Sequence, residues 1–294
     1  MFTGTVYDVG GIKFGNTARG SMVCDSEGHY HGPFANGQEA REAACSLWLG
    51  SHPELDQPLL STFLPQRLGY GNPSAPYWFL GAEEGFTGPG RSGLASPREY
   101  DRLCRWIEGP AVEDILAGHE RIQITQWFGA SPTLQSTWAP LIELLLAVLR
   151  NESVGQHDVR AYQAQQWGRA GGETLVAELL PLPNPDKDNW LYRDIGGRAE
   201  LRSRSSYRAA WLDRRVSLLR AAVNANKPRF VVCYTKHLWQ NGFARVFAGA
   251  RWTHQSDEVW LGSYGDTSVA FIHHPASRTF SMPSVVAPHL RQRL

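Results

Sequence analysis

The sequence predicts an α/β protein: a central, mainly parallel four-stranded sheet flanked by helices, with an N-terminal elaboration over residues 1–74 and a main domain over 75–294. Three observations predict it. Continuous apolar runs, YWFLG (77–81), TLVAELL (174–180), RFVVCY (229–234) and the VAFI of VAFIHHPASR (269–278), read as strands buried on both faces. Segments with helical periodicity lie between them. The resulting strand–helix alternation is that of a parallel sheet covered on both sides.

Residues 1–36 are glycine-rich with short β-like pieces such as GTVYDV, and read as hairpins or loops. GQEAREAACSLWLG (37–50) places Ala43, Ala44, Leu47 and Trp48 near one helix face and stops at Gly50. A Pro/Gly-rich connector, 51–76, leads to YWFLG. Ser96 and Pro97 open a helix over 97–109 at N-cap and first-turn positions. APLIELLLAVLR (139–150) is a further helix, and TLVAELL runs into PLPNPDKDNW. The long amphipathic segment 206–228 ends at Asn226 and Pro228 and hands over to RFVVCY. A shorter helix over 236–248, the strand EVWLG, the strand SVAFIH and a last helix near 283–293 complete the pattern.

At 294 residues and 42% hydrophobic, the chain has ample material for a large core. A net charge of +1 announces no global attraction to nucleic acid, so any such contact must come from a local patch. The longest apolar run, 141–149, contains Glu143 and is too short to span a bilayer. The opening MFTGTVYDVGG lacks the basic and apolar regions of a signal peptide, and Cys24, Cys45, Cys104 and Cys233 are scattered without a CxxC pair. A cytoplasmic, reduced protein without membrane contact is expected.

Ligands of parallel sheets bind outside the carboxyl ends of the strands. Those ends are GAEEG (81–85), PLPNP (181–185), YTK (234–236) and HHPAS (273–277), so the chemically loaded stretches converge on one edge. A strand ending in Gly-x-carboxylate-x-Gly, followed far downstream by one ending in His-Pro-x-Ser, resembles the uracil-DNA glycosylase superfamily. ELLPLPNP with its following Trp, the YTK end and the arginine after HPAS resemble an uncharacterised bacterial branch of it, over roughly 75–294.

The resemblance implies a monofunctional DNA glycosylase that flips out a uracil or a modified base, hydrolyses its glycosidic bond and leaves an abasic site. Glu83 matches the family's water-positioning residue, and a carboxylate beneath the sugar suits an oxocarbenium-like transition state. His274 matches the family's histidine, which hydrogen-bonds the departing base. Glu84, standing where the family has proline, is the alternative carboxylate. Asn184 is the candidate reader of the base edge and Phe86 the candidate stacking ring. Ser277 is a candidate phosphate holder, with Arg278, Lys236, Arg204 and Arg208 as further DNA contacts. Phe280 and Met282 are the available wedges for the gap left by the flipped base. Arginines dominate 193–220, giving an electrostatic footprint for a phosphate backbone. The implied partner is DNA, double- or single-stranded, acted on by a monomer. Neither motif holds a lysine for a Schiff base, and neither metal nor cofactor is required. Uracil is the family's default base, and relatives acting on phage-type hypermodified bases make modified cytosine, and hence phage defence, the alternative to repair.

Two other classes compete. A non-catalytic nucleic-acid-binding module would keep the fold and the basic helix. A metal-dependent hydrolase would use His273, His274, Glu83 and Glu84 together. Strand alternation assigns His273 to the side opposite His274, where a structural role is expected. Cys24, His29, His31 and Cys45 have a spacing foreign to common zinc sites.

Overall fold

The buried strands lie where the apolar runs place them, in a sheet of eight strands rather than four. The structure, a computed structural model, describes residues 1–9, 11–50, 54–86, 97–150, 154–185, 190–193, 195–276 and 282–292. The chain divides into two compact units, one of Met1–Leu60, Gly85–Ile107 and Pro183–Ala210, the other of Ser61–Glu84, Glu108–Leu182 and Trp211–Leu294.

In the first unit, β1 (Phe2–Val9), β2 (Ile12–Thr17), β3 (Gly20–Cys24) and β4 (Tyr30–Phe34) form an antiparallel meander in chain order. Gly11 turns β1 into β2 with φ +91°, and its N–H is held by the Asp8 carboxylate at 2.8 Å. One face buries Val9, Ile12, Phe14 and Val23 against Ala40, Ala44 and Trp48 of α1 (Gly37–Gly50). Asn36 caps that helix by accepting from the N–H groups of Gln38 and Glu39, both at 3.0 Å, while Glu39 reaches back to the N–H of Ala35. α2 (Gln57–Gln66) occupies the segment expected as a connector, and α3 (Pro97–Ile107) sets Tyr100 edge-on to Trp48.

The second unit holds the large sheet. Its strands are β5 (Gly69–Gly71), β6 (Tyr77–Gly85), β7 (Val112–Glu113), β8 (Thr174–Asn184), β9 (Phe230–Tyr234), β10 (Arg251–Gln255), β11 (Val259–Tyr264) and β12 (Thr267–Ile272). Their spatial order is β10-β11-β12-β9-β6-β8-β5-β7. β12, β9 and β6 are parallel neighbours. The Tyr77 N–H donates to Glu173 before β8, and the Phe86 N–H donates to Asn184 at its end, so β8 runs the same way as β6. The expectation of four mainly parallel strands is therefore corrected: the sheet is mixed. β5 adds antiparallel to β8, and the β10–β11–β12 meander extends the other side through a two-residue turn at Gly265 and Asp266. β10, mostly exposed along RWTHQ, has no apolar pattern to betray it.

Period-two alternation sends side chains to two cores. Tyr77, Phe79, Val232, Ala270 and Ile272 face α5 (Trp138–Arg150) and α9 (Met282–Arg291); Trp78, Leu80, Val231 and Phe271 face α7 (Arg204–Asn226). α4 (Ile115–Arg121) and α6 (Gln156–Gln165) complete the first layer. The helix expected over 236–248 is instead a 3₁₀ turn (Lys236–Leu238), a π-helical turn (Trp239–Phe243) and α8 (Ala244–Val246).

β8 has 11 residues beside nine in β6, and the surplus is accommodated by an irregularity. Consecutive carbonyls of a regular strand point to opposite edges, yet those of Glu178 and Leu179 both accept from the Arg215 guanidinium, at 2.9 and 3.0 Å. Arg215 is fully buried, so it is no part of a solvated basic face. Arg215→Ala is expected to lower the free energy of urea unfolding by about 3 kcal/mol, the scale of losing hydrogen bonds from a buried cation. A loss within about 0.5 kcal/mol, as at an ordinary surface site, would show that the guanidinium does not hold the strand.

Candidate functional site

The carboxyl ends of β6, β9 and β12, with the middle of β8 and with β5, gather a set of acids, phenols and one imidazole within the second unit. Glu178 follows Val176 on the face of β8 that belongs to the α5 layer. The Tyr234 hydroxyl, on the same face of β9, donates to its Oε1 at 3.0 Å. These two groups meet over Gly81: a Cβ there would lie 2.2 Å from Glu178 Oε2 and 2.5 Å from the Tyr234 oxygen. Glu178 Oε2 is buried and has no hydrogen-bond partner among the described residues.

The alternation of β6 breaks just beyond Gly81. Ala82 packs with Trp78 and Leu80 in one core, whereas Glu84 hydrogen-bonds Tyr70, a member of the opposite core. Glu84 thus joins Glu178 on one face, which a regular strand also carrying Gly81 there would not allow. Behind Glu84, the Arg67 guanidinium lies 4.5 Å from the Tyr70 ring centroid and 2.8 Å from Glu113. Glu113 is shared with Arg121 at 2.7 Å, so its charge is more than balanced.

Burial dominates the protonation of this cluster. It pushes the Glu84 carboxyl up to about 8, against the pull of Arg67 and the Tyr70 hydrogen bond. It lifts Glu178 well above the ordinary carboxylate range, with the charges of Glu84 and Glu83 adding to the rise. Tyr70 and Tyr234 are raised likewise, first by burial and then by their acid neighbours. At neutral pH Glu84, held up to about 8, is mostly a carboxylic acid able to donate a hydrogen bond, and Glu178 is shifted in the same direction. Glu83 is the third acid of the group, and all three residues are partly exposed.

The histidine pair divides as strand geometry requires. His274 stands two residues beyond Ile272 and meets the Tyr234 ring edge-on, with centroids 6.1 Å apart. Burial lowers its pKa, so the imidazole is neutral at pH 7. The Ala276 N–H donates to its Nδ1 at 3.3 Å, which assigns the ring proton to Nε2. His273 lies edge-on to Trp239 on the other face and bonds the Asp257 carbonyl at 2.9 Å. The two histidines therefore do not share a ligand. Among the described residues, no group of three or more His, Cys, Asp or Glu is placed to hold a metal ion.

The remaining expected site residues are more dispersed. In the first unit, Asn184 and Phe86 are both buried, and the Phe86 N–H donates to the Asn184 carbonyl at 3.1 Å. Lys236 pairs with Asp257 at 3.4 Å on the His273 side. Arg204 and Arg208 are partly exposed at the start of α7. Ser277, Arg278 and Phe280 lie outside the described residues, as does the side chain of Met282. The arginine-rich stretch is not one solvated face: besides Arg215, Arg220 holds the carbonyls of Val246 and Arg245, and Arg214 packs over Trp211 at 5.1 Å.

Glu178, Tyr234, Tyr70 and Arg67 were not singled out by sequence reasoning. Glu178 did leave a signal, as the one charged residue inside the apolar run TLVAELL. Tyr70 and Arg67 left none, because RLGYGN looks like a turn. No protein-family model matches the chain, and no curated protein does.

Because the folded-state pKa of Glu84 is raised, the folded chain retains a proton that the unfolded chain releases. The stability tied to this group is complete below the unfolded value near 4.5 and is lost as pH rises through about 8. Urea midpoints measured from about pH 5 to about pH 9 are expected to fall for the parent and to fall much less for Glu84→Gln. Parallel declines in the two proteins would show that Glu84 ionises normally.

Proposed function

We propose that the chain is a monofunctional DNA glycosylase that takes a pyrimidine-type base out of the stack, breaks its bond to deoxyribose with water and leaves an abasic site. The observation that carries the reading is the meeting of a neutral, Nε2-protonated His274 with the Tyr234–Glu178 pair on one sheet face, at strand ends that also bear Glu83 and Glu84.

The roles follow from charge. As the base–sugar bond breaks, the sugar becomes cationic and the base anionic. Glu84, held up to about 8, is mostly protonated at pH 7 and Glu178 is raised with it, which makes both poor stabilisers of that cation and leaves the anionic role to Glu83. Glu83 also orients the water that adds to the sugar carbon. His274 donates its Nε2 proton in a hydrogen bond to the base oxygen that gains charge, and a neutral imidazole does so without pairing with the cluster's acids. The order of the parallel strands and the placing of acid and imidazole at their carboxyl ends support a uracil-DNA glycosylase-like core within the wider mixed sheet. Uracil and a phage-type modified cytosine are the two substrate classes, with roles in repair and in phage defence respectively.

Incubation with oligonucleotides bearing uracil or modified cytosines, followed by alkaline cleavage, tests this directly. Strand breaks at the modified position are expected, with rate losses of about 10²–10³ for His274→Ala and of at least about 10² for Glu83→Gln. Binding without breaks across the panel would instead identify a non-catalytic nucleic-acid-binding module. Since burial lowers the His274 pKa, the rate is expected to hold as pH falls through the ordinary histidine value of about 6.5. A rate that falls with an apparent pKa at that value would contradict the neutral-donor role.

A further inference from the structure

On the His273 side of the same strand end, the second unit has a cavity of about 320 Å³. Its walls are aromatic and fixed. Trp239 is buried and donates its indole N–H to the Ile272 carbonyl at 3.1 Å; Trp260 stacks on Phe271, 5.7 Å between centroids and 19° between planes. Its rim is polar. Gln240 and Asn241 are exposed on the π-helical turn that follows Thr235, and neither amide has a hydrogen-bond partner among the described residues. Such turns recur at functional sites. Among the described residues, Lys236 meets the fully exposed carboxylate of Asp257, a pairing that water screens. His273 ties the opposite wall by bonding the Asp257 carbonyl.

This lining matches the parts of a nucleotide: tryptophan for the face of a base, planar amides for its donor–acceptor edge, an ammonium for its phosphate. The volume is at the lower end of small-ligand pockets, too small for a folded peptide and ample for one base. The recess and the His274 cluster are separated by the two consecutive histidines of one strand end, whose side chains point to opposite faces. Resting on the DNA-directed reading above, we propose that this cavity is a second nucleotide subsite: it takes a base of the same strand beside the excised one, with Gln240 and Asn241 reading its edge and Lys236 on its phosphate.

The test is binding by the full chain of a labelled single-stranded oligonucleotide, with a Gln240→Ala/Asn241→Ala double variant and Lys236→Ala; all three side chains are exposed, and thermal unfolding confirms that the variants fold. Abasic analogues are walked through the strand one position at a time. For the parent, one position next to the target is expected to cost about tenfold in affinity when its base is removed. The double variant is expected to bind about tenfold more weakly than the parent and to lose nothing further at that position, the mark of two groups in contact. Lys236→Ala is expected to reduce the slope of log affinity against log salt by about one. Equal sensitivity of parent and variant to every abasic position overturns the subsite, whether or not the oligonucleotide panel shows excision. A base-dependent loss confined to the parent supports the subsite even if no base is excised, in which case the glycosylase reading alone fails.

Discussion

Where β6 passes between Glu178 and Tyr234 there is room for a hydrogen atom and nothing larger. Gly81 supplies it, and the phenol and carboxyl of the neighbouring strands close over the gap and bond to one another. The rest of the candidate site is arranged around that closure. Beyond Gly81, β6 abandons its alternation and turns Glu84 onto the same face, where Tyr70 receives it. On the adjacent strand, Arg215 collects two consecutive carbonyls at the level of Glu178 and holds the irregularity that the longer β8 requires. His274 completes the row through its edge contact with Tyr234.

This packing sets the electrostatics of the cluster. Three half-buried carboxyls packed together do not ionise independently, since each charge raises the cost of the next in a poorly screened setting. Arg67 does not relieve them fully, because it is shared with Glu113. Raised in this way, Glu84 and Glu178 are shifted toward donors rather than anions, and Glu83 is the acid we propose for the anionic role. A neutral histidine fits that balance better than an imidazolium would, because it brings a directed N–H without a further charge to bury.

The elements with the strongest apolar signals were legible in the sequence. α1, α5, α7, β9 and β12 fall within a few residues of their expected bounds because continuous or periodic apolar residues must be buried. α2 and β5 were not legible, since the Pro/Gly content around them reads as a connector, and β10 offers almost no apolar residue to read. The end of β8 was misplaced for a related reason: Pro181 and Pro183 suggest a turn, yet the strand continues through both to Asn184. In the site, the opposite facing of His273 and His274 was legible from period-two geometry alone. The different surroundings of Glu83 and Glu84 were not, because they depend on a break in alternation and on partners, Tyr70 and Arg67, that are distant in sequence.

The raised carboxyls of Glu84 and Glu178 are what the proposed anionic role of Glu83 rests on. Carbon-13 NMR of the glutamate side-chain carboxyls, assigned with Glu84→Gln and Glu178→Gln, measures this directly. Glu84 is expected at the protonated position at pH 7 and to move only near pH 8, and Glu178 to titrate well above the ordinary carboxylate range. If both shift in the ordinary carboxylate range near pH 4.5, the cluster is fully charged and the division of roles among the three acids fails.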